Sequence, residues 1–199
     1  MRRYTAHFGP LGRVWPHGWA SFRPPARNGA VSSPSVPRAT PTSTPELVVA
    51  NLPEHYLAAR ALFSEYASQL GVDLCFQNFS NELERLPEMY GPPAACLILA
   101  RREQDYVGCI GVRVLAAFPG TCEMKRLYVR PSARGTGLGR RLAAAAIDAA
   151  RGLGYRRMVL DTLASMTEAR ALYSALGFTE TSPYYRNPGA GVSYLELAL

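Results

Sequence analysis

Leu127-Tyr128-Val129-Arg130-Pro131-Ser132-Ala133-Arg134-Gly135-Thr136-Gly137-Leu138-Gly139-Arg140-Arg141 is the stretch on which the fold turns. A strand-like run feeds a loop with glycines at three alternate positions, and an Ala-rich helical pattern follows at once, over about 137–151. The opening turn of a helix presents unpaired N–H groups and the positive end of the helix dipole. Glycines let the backbone approach a ligand closely and adopt dihedrals closed to other residues. Together these make a cradle for a phosphate or pyrophosphate, and Arg134, Arg140 and Arg141 add positive charge around it. The pattern GxxxxGK[ST] is absent, because no Lys follows these glycines. The pattern GxGxxG fails too, because position 140 is Arg. Taken alone, the loop leaves open a plain strand-to-helix turn with glycines for tight packing.

Working outward, a regular pattern occupies residues 46–199. A short strand is expected over 46–51 and a helix over 54–70, with Leu57, Ala61, Leu62, Tyr66 and Leu70 at helical spacing and Gly71 as terminator. A shorter helix is expected from Asn81 to about Leu86, ahead of Pro87. Three strand-like runs, 95–101, 106–115 and 121–129, are separated by short polar or Gly/Pro connections and read as an antiparallel meander. After the Gly-rich turn and its helix come a strand over 157–161, a helix over 167–176 ended by Gly177, and a final strand over 192–199. The order βααβββαβαβ predicts a single mixed α/β domain.

The first 45 residues differ in character. They hold six Arg and no acidic residue, eight of the 16 prolines, both tryptophans and two of the three histidines. Segments such as Arg23-Pro24-Pro25 have no periodicity, so residues 1–45 are expected to be a disordered, basic, Pro-rich tail. An organelle-targeting peptide, a flexible arm and an over-long gene start all fit it. The net charge of +7 lies mostly there, since residues 46–199 carry 16 basic and 15 acidic side chains. No clustered basic face is implied, which argues against nucleic acid as a partner of the folded part. No apolar run approaches the ~20 residues of a membrane-spanning helix. The four Cys lack zinc-site spacing and no secretory signal is evident, so reduced thiols in a cytoplasmic setting are expected. Cys96, Cys109 and Cys122 recur every 13 residues along the meander and read as buried packing residues.

Two segments together resemble a known family. Arg134-Gly135-Thr136-Gly137-Leu138-Gly139 matches the R/Q-x-x-G-x-G/A signature of the GNAT superfamily of N-acetyltransferases. Ala171-Leu172-Tyr173-Ser174-Ala175-Leu176-Gly177-Phe178 is similar to its LYxxxGF element. They occur in the family's order with a strand between them, and the resemblance spans 46–199. It implies a mixed, mostly antiparallel central sheet flanked by helices, with a splayed strand pair forming an acetyl-CoA cleft.

The resemblance also implies roles. Amides of Arg134, Gly135, Thr136, Gly137, Leu138, Gly139 and Arg140 would hold the pyrophosphate of acetyl-CoA. Backbone groups of Leu127, Tyr128 and Val129 would pair with the pantetheine arm as an added strand does. Tyr173 would protonate the departing thiolate; a phenol is a suitable weak acid. Its alternative is a core position beside Ala169, Leu172 and Leu176. Glu123 is the candidate general base, because strand alternation puts it on one face with Val129. The alternative is a surface carboxylate paired with Lys125 or Arg113. Asp161 ends a strand beside the expected acyl site, or caps the next turn. His55 reads as a surface residue. Many relatives carry an Asn where this chain has Met166, and Thr162 or Ser165 could replace its contact.

The expected reaction is acetyl transfer from acetyl-CoA to a primary amine by direct attack, with no metal and no covalent enzyme intermediate. A small-molecule amine is favoured over a protein acceptor. Tyr184, Tyr185 and Arg186 are candidates for lining its pocket, Arg186 for a carboxylate, against packing of the tyrosines on the sheet. A non-catalytic acyl-CoA sensor and a nucleic-acid role for the tail are the competing classes. Dimerisation is common among relatives.

Overall fold

The computed structural model describes residues 43–70, 78–187 and 191–199. The 1–45 segment lies almost wholly outside them, as do Gly71, Cys75 and the Pro188-Gly189 pair. The elements are β1 (Glu46–Val49), α1 (Pro53–Leu70), α2 (Phe79–Glu84), α3 (Leu86–Tyr90), β2 (Cys96–Arg102), β3 (Asp105–Val114), β4 (Thr121–Val129), α4 (Leu138–Gly152), β5 (Arg157–Leu163), α5 (Thr167–Ala175), β6 (Thr179–Glu180) and β7 (Val192–Ala198). A 3-10 turn, Pro131–Ala133, precedes the Gly-rich loop. Among the described residues no helix is long and apolar enough to cross a membrane.

The strands form one sheet in the order β1-β2-β3-β4-β5-β7-β6. All pairs are antiparallel except β4·β5. Both faces are covered, so the central strands read as continuous apolar runs. In β2, Cys96, Ile98 and Ala100 face α4, while Leu97 and Leu99 face α1. Helix α4 buries Leu138, Leu142, Ala143, Ala146, Ile147 and Ala150, a stripe at helical spacing, and leaves its arginines outside.

Three local expectations are corrected. The buried stripe of α1 is His55, Ala59, Leu62 and Phe63, and Leu57 is 67 % exposed, so the inward face is rotated from the expected one. His55 is therefore buried: its Nδ1 accepts the backbone N–H of Asn51 at 3.2 Å, and its ring meets Tyr106 edge-on. Pro87 opens α3 instead of ending a helix, since a first-turn proline gives up no helical hydrogen bond. The three meander cysteines are buried free thiols, as expected. Burial pushes Cys96 up to about 11 and Cys122 up to about 12, which leaves both as inert packing groups.

Candidate active site

β4 and β5 pair over three positions only, Thr121↔Arg157, Cys122↔Met158 and Glu123↔Val159. Both strands continue past that point, β4 to Val129 and β5 to Leu163. A cavity of about 580 Å³ lies there, walled by residues 124–129 of β4, 161–163 of β5, the Gly-rich loop with the first turn of α4, and α1 and α5.

The loop end joins unpaired helix N–H groups to positive charge, a combination that suits an anion. Gly137 caps α4 in the left-handed conformation (φ 76°), no side chain caps the helix, and its first turn carries Arg140 and Arg141 with no acid. Cations disfavour a helix N-terminus unless an anion is also there. A Cβ on Gly135 (φ 75°) or Gly137 would meet no atom within 4 Å, so both α-carbons face open space that a side chain would fill. Of the ten expected cofactor-binding residues, Leu127, Tyr128, Val129, Arg134, Gly135, Gly137, Leu138, Gly139 and Arg140 line this one cavity. Thr136 is not on the wall; its hydroxyl turns back to donate to the Ala133 carbonyl at 2.8 Å. Arg134 is held in place through Nε to the Val129 carbonyl and through a terminal nitrogen to Gln69, both at 2.9 Å. Thr162 and Met166 share the wall, with the Thr162 hydroxyl 3.8 Å from the Met166 sulfur.

Tyr173 reaches the same cavity from α5 and is only 8 % exposed. Its ring packs edge-on against Phe178, and its hydroxyl has no hydrogen-bond partner among the described residues. Burial, with charge on Tyr66 and Asp161 as lesser causes, pushes this phenol well above its ordinary range, so it keeps its proton at neutral pH.

The carboxylates stand differently from expectation. β3 and β4 shift register between Cys109 and Gly111: Cys109 pairs with Tyr128 and Gly111 with Lys125. β4 thus holds one extra residue, a β-bulge, and Arg126 within it has φ 58°. The bulge reverses the alternation. Cys122 and Met124 face α4, and beyond the bulge so do Leu127 and Val129. Glu123 and Val129 are therefore on opposite faces. Glu123 is 1 % exposed, not a surface group, and does not line the cavity. It pairs with Arg113 (2.7 Å) and Lys125 (3.1 Å) and accepts the Tyr184 hydroxyl (2.8 Å).

Asp161 does line the cavity. It takes Lys125 at 2.6 Å, the Tyr185 hydroxyl at 2.8 Å and the Asn187 amide at 3.1 Å. Burial would raise its pKa, but Lys125, by charge and hydrogen bond, and the Tyr185 hydroxyl hold it below the ordinary carboxylate value. Tyr184, Tyr185 and Arg186 are not on this wall. The two tyrosines stand behind it as hydroxyl donors to the carboxylates, and both rings meet Tyr194 edge-on. Arg186 borders a separate, shallower hollow. Tyr66 of α1 lies on the cavity wall against Tyr128.

A model of the acetyltransferase (GNAT) family matches residues 58–178. The chain belongs to that family. An uncharacterized N-acetyltransferase of Schizosaccharomyces pombe is 43 % identical over 149 residues, covering 74 % of this chain and 91 % of the relative. An IAA acetyltransferase of Azospirillum brasilense is 36 % identical over 105 residues, covering 53 % and 67 %. A Salmonella typhimurium protein solved with its cofactor acetyl-CoA has the same fold, with TM-score 0.56 and 22 % identity over 78 % of this chain and 94 % of that one. The protein is thus a GNAT N-acetyltransferase, a family whose typical donor is acetyl-CoA, on a mixed, mostly antiparallel seven-stranded sheet.

Proposed function

We propose that this GNAT enzyme transfers the acetyl group of acetyl-CoA to a small-molecule primary amine by direct attack. The observation that carries the reading is one cavity bordered by an anion cradle, unpaired strand edge, a buried phenol and a carboxylate. The loop 134–140 would hold the pyrophosphate, and the backbone of Leu127 and Val129 the pantetheine arm. When bound, acetyl-CoA supplies the acetyl group as a thioester. Tyr173 gives its proton to the leaving sulfur. Asp161 meets the amine on the wall and holds its ammonium form, whose proton leaves to water as the nitrogen attacks the thioester. Glu123, behind the wall, holds Lys125 and the Tyr184 hydroxyl in place, a supporting role for the residue first expected as the base.

A small acceptor is supported by the size of the cavity and by the IAA acetyltransferase among the relatives.

The test is calorimetric titration of the full chain with acetyl-CoA, CoA and ATP, followed by thiol release with a panel of primary amines. Binding of both CoA species but not ATP, then turnover with at least one amine, is expected. Tyr173→Phe should lower kcat by about 10²-fold, the usual scale of general-acid catalysis. A folded chain that ignores acetyl-CoA would end the donor assignment, and full turnover by Tyr173→Phe would end that of the acid.

A further inference from the structure

Lys125 is the only lysine in the sequence, against 21 arginines. Its side chain is 6 % exposed and its ammonium sits between two carboxylates, Asp161 of β5 and Glu123 of its own strand. The Tyr185 ring lies 5.3 Å from it. The two carboxylates are served unequally. Glu123 has a second cation, Arg113 of β3, which reaches it through both Nε and a terminal nitrogen at 2.7 Å. Among the described residues, Lys125 is the only cation in ion-pair contact with Asp161; the other donors, Tyr185 and Asn187, are neutral. Arg126, next along the strand, is paired with Glu82 of α2 and acts on Asp161 by charge alone, more weakly than Lys125. Tyr184 of the C-terminal loop serves Glu123.

A buried carboxylate without a cation beside it tends to take up a proton, the more so with a second carboxylate nearby. A protonated Asp161 would offer no charge to an incoming ammonium group. We infer that Lys125 is a positioning residue for the acetyl acceptor: from its place on the cavity wall, tied to both carboxylates, it keeps Asp161 ionised, and Asp161 is the seat of the acceptor's ammonium group. The second half rests on the acetyltransferase reading; the first does not. Lys125 thereby sets the acid limit of turnover, through charge alone. Its own amine stays bound to the two carboxylates.

The experiment uses the full chain labelled with [¹³C-carboxyl]aspartate, the Asp161 signal being assigned by its loss in Asp161→Asn. In Lys125→Met the titration midpoint of Asp161 should rise by about one pH unit or more, the usual scale for losing an adjacent opposite charge. In Lys125→Arg, which keeps the charge, it should stay near the wild-type value. The acid limb of kcat/KM, read with an amine from the panel, should move with the midpoint. An unmoved midpoint in Lys125→Met, or an equal rise in Lys125→Arg, overturns the inference. A raised midpoint with an unmoved acid limb overturns the ammonium seat while the pairing stands. Neither NMR arm needs donor or acceptor, so failure of the enzymatic reading shows up separately. Should Lys125→Met fail to fold, Lys125→Gln is read in its place, with the same rise in the Asp161 midpoint expected; an unmoved midpoint overturns the pairing.

Discussion

Removing Glu82 should destabilise this protein strongly, because it breaks a buried ion pair from one side. Glu82 of α2 is 1 % exposed. It holds Arg126 through two hydrogen bonds, 2.9 and 2.6 Å, and accepts the Tyr90 hydroxyl at 2.7 Å. The Arg126 side chain is 3 % exposed, and its guanidinium also lies 5.0 Å from the Phe79 ring. Glu82→Ala therefore leaves a buried guanidinium without its counterion and a buried hydroxyl without its acceptor. Breaking a buried pair from one side costs about 3–5 kcal/mol. That is a large part of the roughly 5–15 kcal/mol a domain has. Urea unfolding at neutral pH is the assay, read as a fall in midpoint at constant m-value. The double variant Glu82→Ala/Arg126→Leu should recover part of the loss, because it removes the orphaned charge. The pH dependence carries a definite sign. Burial alone would raise the Glu82 pKa, but the Arg126 hydrogen bonds and charge and the Tyr90 hydroxyl bring it below the ordinary value. Its stabilisation is then full above the unfolded-state pKa of about 4.3, and is lost as pH falls through the lower folded value. Glu82→Gln should flatten that acid slope. A loss below about 1 kcal/mol in Glu82→Ala, the range of an exposed pair, would refute the reasoning.

Two glycines separate ligand binding from packing. Gly137→Ala places a methyl in open space at φ 76°, so stability should fall only by about 1–2 kcal/mol while acetyl-CoA affinity, read by calorimetry, falls tenfold or more. Gly111→Ala does the reverse: its Cβ would lie 2.4 Å from the Tyr90 ring, an overpacking that costs about 1–3 kcal/mol in urea unfolding. Acetyl-CoA affinity of the folded fraction should change little, since Gly111 is not on the cavity wall.

The element order was legible because most boundaries carry a glycine, a proline or a polar turn. The Gly-rich loop was legible because its chemistry is local: the α4 dipole, the missing side chains and the arginines all fall within eight residues. What the sequence hid depends on contacts between distant segments. Helix α1 carries Ala or Leu all round, so its inward face was settled by the sheet beneath, not by its own pattern. The Tyr184-Tyr185 pair follows a proline in a loop with no periodicity, and nothing local says which wall it backs. The tyrosines turned out to serve Glu123 and Asp161, 61 and 24 residues away.

The expectation that Glu123 shares a face with Val129 fails for a single reason that explains much of the site. A regular strand would put Glu123, Lys125, Leu127 and Val129 on one face. The bulge inserts a residue, so Lys125 and Arg126 fall on the same face, away from α4, and Leu127 and Val129 cross to the α4 side. A non-glycine residue with φ 58° leaves no mark in the sequence, and it persists only where surrounding contacts fix it. Here those contacts are the Glu82 pair on one side and the Lys125 pairs on the other. The bulge lies just past the end of the ladder with β5, and the cavity lies there too. On this argument the bulge and the acceptor seat are linked: loosening Arg126 should disturb Asp161 through Lys125 before it disturbs the glycine cradle at the far end.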